Sequence, residues 1–393
     1  IDLLKIRTSY GQVGNDSGIS NYAWQALYGL DYNNAYEAGA LQNSLKSEEL
    51  VWEQNANFDV ALEFGLLKRI RGTVEFFHRQ SSNLLFAVPK PLSSGITSRD
   101  ENVGTLYNRG IEADISVDII KSNKFNWTLS AYATAFKNEF TKLPQTEIIS
   151  GTKKLMVGHS LYDYWLREWK GVNPEDGRAL YRANPTNYAT DKAAFDANPA
   201  STGILDYKIA GTDTFTYNTN KANYHYAGSA IPDLFGSVTN EFSYGNFDLQ
   251  VMLTYQLGGQ VYDGTYASLM DPGNYGNAIH TDMLKRWQKE GDITDVPRMD
   301  GNSTNRTYFS AASDRWLTDA SYLNIKSVTL SYTIPTSLMK KIDMSNCRLF
   351  ASGENLWLFS ARKGMSVQQS FDGVTSNTYT PTRIISFGLN LTF

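Results

Sequence analysis

Ile111 to Ala135 reads IEADISVDIIKSNKFNWTLSAYATA, and its side chains change character at every second residue. Ile111, Ala113, Ile115, Val117 and Ile119 are apolar, while Glu112, Asp114, Ser116 and Asp118 between them are polar. After the link Ile120 to Lys124, Phe125, Trp127, Leu129, Ala131, Ala133 and Ala135 alternate with Asn126, Thr128, Ser130, Tyr132 and Thr134. Successive side chains of a strand point to opposite faces, so period two gathers each set on one face. The stretch predicts two antiparallel strands joined by a short turn, each with one greasy and one wet face.

The same rule extends outward in both directions. Phe58, Val60, Leu62, Phe64 and Leu66 oppose Asp59 and Glu63, and Phe247, Leu249, Val251, Leu253 and Leu257 oppose Asp248, Gln250, Thr254 and Gln256. Ile385, Phe387, Leu389, Leu391 and Phe393 close the chain against Ser386, Asn390 and Thr392. Leu4 to Tyr10, Arg71 to Gln80 and Leu234 to Tyr244 read as further strands, most near the roughly 9–11 residues a tilted membrane strand needs. Between Tyr322 and Tyr332 the apolar phase slips at Lys326 and Ser327, which predicts a bulge, and Cys347 to Trp357 is expected to break at Gly353. About ten strands result.

Alternation alone fits either a sandwich or a membrane barrel, and the connections decide between them. The links Leu67 to Ile70, Ile120 to Lys124 and Gly245 to Asn246 are short, with a somewhat longer one after Pro335. Between them fall Gly11 to Trp52, Ser81 to Thr105, Lys137 to Pro232, Gly258 to Trp316 and Leu358 to Thr382, all far beyond the usual hairpin loop of roughly 2–5 residues. Strict alternation of long and short links is the rhythm of an up-and-down barrel with short periplasmic turns and long extracellular loops. The fold class expected is all-β, an antiparallel transmembrane β-barrel.

Composition agrees. Hydrophobic residues make up 41% and mean hydropathy is -0.38, so no run approaches the roughly 20 apolar residues of a transmembrane helix, while a barrel hides its hydrophobicity in alternation. Aromatics at 13% suit interfacial belts or stacking surfaces. A net charge of -4 offers no concentrated basic face, so no nucleic-acid partner is expected. The single cysteine, Cys347, excludes an internal disulfide framework. The four histidines are scattered without metal spacing, and no HExxH, nucleophile elbow or phosphate-cradling loop is present. No enzyme, metal or cofactor is therefore expected. Asp271, Asp292, Asp295, Asp300 and Asp314 fit no standard calcium loop and read as solvated turns.

Several ordered blocks then become recognisable: LKIRTSYGQVGND from Leu4, VWEQNANFDVALEFGLLKRIRGTVEFFHRQSSNLL from Val51, NVGTLYNRGIEADISV from Asn102, EWKGVNPEDGRALY from Glu168, IPDLFGSVTNEFSYGNFDLQVMLTYQLGGQVYD from Ile231, ASYLNIKSVTLSYTIP from Ala320, RLFASGENLWLFS from Arg348 and PTRIISFGLNLTF from Pro381. Together they resemble the C-terminal half of SusC/RagA-type TonB-dependent outer-membrane transporters. The resemblance implies that residues 1–393 supply about ten C-terminal strands of a 22-stranded barrel. The plug and N-terminal strands would lie outside this chain, whose opening already reads as a strand. It also implies outer-membrane localisation in contact with lipid, coupling to TonB through the missing N-terminal region, a SusD-like lipoprotein lid, and import of a glycan or, in some members, a peptide. Phe393 resembles the family's terminal insertion signal. Many relatives carry an acidic DxNxDG loop before the strand near Leu234, whereas Tyr207 to Tyr226 here is rich in Thr, Asn and Tyr, and no metal is assigned to it.

The candidate ligand-binding residues are loop aromatics, Trp24, Tyr162, Tyr164, Trp165, Trp169 and Tyr266, because sugar C–H groups pack on aromatic faces while nearby polar groups take the hydroxyls. The cluster HSLYDYWLREW, His159 to Trp169, lies in the longest connection. The alternative for each is a girdle or loop-packing role. Asn277 to Lys289, with Ile279, Met283, Leu284 and Trp287 at helical spacing, predicts a short loop helix. The rival reading of the whole chain is a secreted or surface all-β carbohydrate-binding protein.

Overall fold

A computed structural model describes residues 1–393 except 18–19, 92, 94, 274, 341–342, 369–370, 376–378 and 393. Phe393, the expected insertion signal, lies outside the described residues. Ten strands form one continuous antiparallel sheet: β1 (Leu3–Asn15), β2 (Glu53–Leu66), β3 (Ile70–Pro89), β4 (Ser98–Lys121), β5 (Phe125–Lys142), β6 (Leu234–Tyr244), β7 (Phe247–Leu257), β8 (Tyr322–Thr333), β9 (Asn346–Ser360) and β10 (Ile384–Thr392). Each pairs with its neighbours in chain order, as in an up-and-down barrel wall, and β1 and β10 form the two edges. No helix among the described residues is long and apolar enough to cross a membrane.

Pairing register carries the alternation across strands. Ile6, Leu62, Val74, Ala113 and Ala133 stand in one row, and Arg7, Ala61, Glu75, Glu112 and Thr134 form the next row on the opposite face. The first face is uncovered: Ile6 is 75% exposed, Ile111 55% and Phe387 80%. A water-soluble sheet would bury such a face, so leaving it bare identifies lipid as its solvent. The opposite face is a hydrogen-bonded polar lattice. Arg7 bridges Glu75 at 2.8 Å, Thr128 Oγ1 donates to Asp118 at 3.0 Å and Gln250 Nε2 to Glu241 at 3.0 Å.

The short turns lie together at one end. Leu67 and Lys68 both have positive φ, 56° and 53°, in a three-residue hairpin loop closed by the Arg69 amide donating to the Leu66 carbonyl at 3.1 Å, its twist matched to that of the strands. Above these turns the lipid face carries aromatic pairs, Trp127 with Phe242 at 5.6 Å and Phe247 with Tyr332 at 4.6 Å, placed as a girdle at the membrane interface. The predicted bulge occurs at Lys326, which the register skips between Ile325 and Ser327 on both sides of β8.

Two local expectations are corrected. β9 runs through Gly353 unbroken, and its irregularity falls between Glu354 and Trp357, where Asn355 takes φ 50° and receives the Lys326 ammonium at 2.9 Å. The expected long loop Ser81 to Thr105 is mostly strand, because β3 and β4 remain paired as far as Pro89 with Ser98.

The buried core lies in the loops. Tyr164, Leu166, Tyr262, Met270, Met283, Val296 and Trp316 form one cluster, and Ala179, Tyr181, Ala222 and Phe309 a second.

Candidate functional site

The described residues of the connections 143–233, 258–321 and 361–383 fold into a single loop body at the end opposite the short turns. Tyr164 is its keystone. Its ring has no solvent exposure, and its hydroxyl lies 3.0 Å from the Gln260 carbonyl and 2.7 Å from that of Gly373, which ties the three connections together. The Lys153 ammonium sits 3.4 Å from the centre of the ring and donates to the Tyr162 carbonyl at 2.8 Å. Burial lowers the Lys153 pKa to about 8, against the pull of Asp372 and Asp163, and burial raises that of the Tyr164 hydroxyl. With its ring covered and its hydroxyl engaged, Tyr164 has no face left for a ligand.

The other aromatics of His159–Trp169 are similarly engaged. Trp165 stacks near Tyr224 at 6.1 Å, meets Tyr226 edge-on at 4.9 Å and carries the Lys154 ammonium at 4.1 Å. Trp169 packs edge-to-face on Tyr181 at 5.3 Å and shares the Arg315 guanidinium with Trp316, at 4.6 and 4.5 Å. Tyr162 stands against Phe371 at 6.2 Å. Phe371 in turn rests on Phe136 at 5.5 Å and Phe235 at 5.8 Å, both on the polar face of the wall. This aromatic foot of the loop body was missed in the sequence, although the doublets Ala135-Phe136 and Leu234-Phe235, apolar on both faces, were its signal.

Tyr266 lies at the edge of the same body and opens onto a cleft. It belongs to the short helix Gly264–Leu269, whose first turn is capped by the buried Asp263 carboxylate accepting the Tyr266 amide at 2.9 Å. Arg362 covers one face of the ring at 3.8 Å and reaches Asp263 at 3.3 Å, His280 meets the ring edge-on at 4.8 Å, and the hydroxyl donates to Asp282 at 3.0 Å. Burial and the Asp282 carboxylate raise the Tyr266 pKa. These side chains, with Lys363 and the fully exposed Tyr379, line about 800 Å³. The cleft presents donors, acceptors and aromatic surface together, as a site for a polar oligomer requires.

Trp24 stands apart in the connection 16–52. It is 48% exposed and shares a cleft of about 510 Å³ with Trp52, Asp16, Ser20, Asn21 and Glu48. Trp52, 65% exposed, was not singled out from sequence. Its ring lies against Gly14, where an added Cβ would come within 2.7 Å of it, so glycine makes room for the indole.

The predicted helix at Asn277–Lys289 is a single 3₁₀ turn, Thr281–Lys285, capped by His280. Met283 enters the core while Leu284 stays exposed, so helical spacing here reflects one turn packed on one side. The acidic residues fall into local bonds: Asp300 pairs with Arg298 at 2.8 Å, Asp314 with His225 at 3.0 Å, and Asp292 accepts the Gln288 and Lys289 amides at 3.0 Å. Among the described residues no group of three His, Cys, Asp or Glu could hold a metal. In the Thr- and Asn-rich region, Lys221 lies 2.8 Å from both Asp191 and Asp206.

An open wall with a lipid face, a polar face and long loops gathered at one end is the plan of a large outer-membrane barrel. The model of the family described as "TonB dependent receptor-like, beta-barrel" matches residues 1–203, more than half of the chain, and the chain belongs to that family. It is 25% identical to TonB-dependent receptor P3 of Formosa agariphila, over 99% of this chain and 39% of that protein. It is likewise 25% identical to TonB-dependent receptor SusC of Bacteroides thetaiotaomicron, over 99% of this chain and 37% of that protein. In fold it is similar to a chain of the RagAB peptide transporter, with a TM-score of 0.79 at 22% identity, over 99% of this chain and 41% of that one. The chain thus spans about two fifths of the length of these relatives.

Proposed function

We propose that this chain forms wall and outer loops of a TonB-dependent importer that carries an oligomeric nutrient, a glycan, across the outer membrane. The observation that carries the reading is the division of the sheet into a bare apolar face and a hydrogen-bonded polar face, crowned by clefts in which aromatic rings stand beside charged groups. The polar face solvates the path, and the loops bind ligand. The likeness to SusC supports a glycan and a SusD-like lipoprotein lid resting on the loop body. Energy would reach the substrate through TonB and a plug supplied by the rest of the protein, and the ten strands would be the last of a 22-stranded barrel.

Within the loops, the reading assigns ligand contact to Trp24 with Trp52 and to Tyr266, while Tyr162, Tyr164, Trp165 and Trp169 shape the body that presents them. The Trp24–Trp52 cleft joins two exposed indoles to two carboxylates and an amide, chemistry suited to sugar rings and their hydroxyls. A peptide is the second reading. The Tyr266 cleft holds Arg362 and Lys363 beside Asp263 and Asp282, which would receive both peptide termini, and one protein of similar fold is a peptide transporter.

The test is growth of a strain lacking the gene on single glycans and on peptides, with the complete gene or its Trp24→Ala/Trp52→Ala form restored. The glycan reading expects growth on one glycan to require the gene and to weaken with the double variant. Dependence on peptides instead would move the assignment to the second reading, and unchanged uptake of all of them would overturn import of the ligands tested.

A further inference from the structure

The wall parts between β5 and β6. β5 pairs with β6 only as far as Thr134 with Phe235, and from Ala135 upward β5 continues along β4 alone. Beside this parting lies a groove of about 580 Å³. Its floor is apolar, made by Phe76, Ile111 and Ala135, the uppermost apolar row of β3, β4 and β5 on the bare face. One pleat higher on that face, about 7 Å along the strands, His78, Arg109 and Lys137 stand side by side in register. Arg109 and Lys137 are exposed and line the groove. Lys137 contacts Glu139 at 2.5 Å, whereas Arg109 lies over the Tyr107 ring at 4.9 Å and makes no ion pair among the described residues. The acids at the rim are Asp163, which accepts the Ser160 amide at 3.0 Å, and Asp233.

Cations placed just above an apolar band, on the side facing away from the polar lattice, meet the headgroups of the surrounding leaflet. A planar guanidinium beside an ammonium matches a phosphate, which accepts two bonds from the first and a point charge from the second. We propose that this parting is a lipid site, holding a phosphate-bearing lipid of the outer leaflet with an acyl chain on Phe76, Ile111 and Ala135 and its phosphate on Arg109 and Lys137. The apolar floor continuous with the lipid face selects a membrane lipid over a soluble anion. The inference rests on the membrane placement of the sheet and is independent of what the transporter carries.

The experiment uses the complete transporter purified in neutral detergent, with retained lipid measured by native mass spectrometry. Phosphatidylglycerol is the phosphate probe, a galactosyl diacylglycerol the neutral one, and inorganic phosphate the competitor. Wild type should hold phosphatidylglycerol in preference to the neutral lipid. Arg109→Gln/Lys137→Gln should lose that preference by about fivefold per cation, while Lys192→Gln, on the loop helix Pro185–Ala197 outside the groove, should not. Heat-modifiable gel mobility reports folding of each variant. Equal retention by the double variant, equal retention of the neutral lipid, or release by millimolar inorganic phosphate would each overturn the site. A wild-type protein that stays soluble without detergent would instead overturn the membrane placement beneath it.

Discussion

In the wall, Ile111 and Phe76 stand about half exposed on a face with nothing packed against it, whereas in the loop body Trp316 and Tyr164 are closed to solvent entirely. The same chain thus uses apolar side chains in opposite ways. The wall leaves them bare and satisfies its backbone through the ladder, because lipid can accept side chains but no unpaired amide. The loop body stands in water and must build a conventional core, which it does with rings, methionines and cations laid on aromatic faces. Rigidity at the mouth therefore comes from the loops packing on one another and on Phe136 and Phe235 of the wall.

The contrast can be broken most severely from the loop side. Trp316→Ala removes a ring with no exposure at the junction of the loops, and truncations of this kind cost about 3–5 kcal/mol. Limited proteolysis should then cut within 143–233 or 258–321 while the barrel keeps its heat-modifiable mobility. On the wall, Ile115→Arg places a charge in the lipid face, at a cost of about 2–4 kcal/mol near the midplane. Asp114→Arg, one residue away on the polar face, should cost far less. Denaturant titration of the complete barrel in vesicles compares the two, and equal costs would remove the distinction between the faces.

Tyr164→Phe keeps the ring but leaves the Gln260 and Gly373 carbonyls without its hydroxyl, and should destabilise the loop body by about 1–3 kcal/mol. Slower hydrogen exchange or no change at residues 260 and 373 would contradict its role as the tie between connections.

A pH dependence of similar size completes the comparison. Lys153 has a folded pKa of about 8 against its ordinary 10.5, so above pH 8 the unfolded loop retains a proton that the folded loop has released. Stability of the loop body should rise from about pH 8 to about pH 10, beyond which ionisation of Tyr164 in the unfolded chain opposes it. Lys153→Met should flatten that rise when protease resistance is compared with wild type across the same range.

The wall was legible because lipid imposes a rule on every second residue. That rule located all ten strands and even the bulge at Lys326, where the phase slips, while the alternation of long and short links lapses between β3 and β4, whose ladder leaves only 90–97 as a connection. Legibility failed where the rule lapses. Residues 81–89 and 98–105 carry no clean alternation, since above the membrane both faces meet water, yet their ladder continues. The loops were harder still. Tyr164 and Tyr266 look alike as loop tyrosines, and only the meeting of 143–233 with 258–321 and 361–383 makes one a buried tie and the other the side of a cleft. Trp52 went unremarked because its partner in the cleft, Trp24, is remote in sequence, while the ring itself lies over Gly14.

The account stands on which face of the sheet meets lipid. Single nitroxide labels placed in turn at residues 111 to 118 of the complete protein, with Cys347 replaced by serine and the barrel in vesicles, measure this directly through relaxation by oxygen and by a water-soluble nickel complex. Oxygen accessibility should peak at Ile111, Ala113, Ile115 and Val117, and nickel accessibility at Glu112, Asp114, Ser116 and Asp118. Profiles without that two-residue period, or with the two probes exchanged, would contradict it.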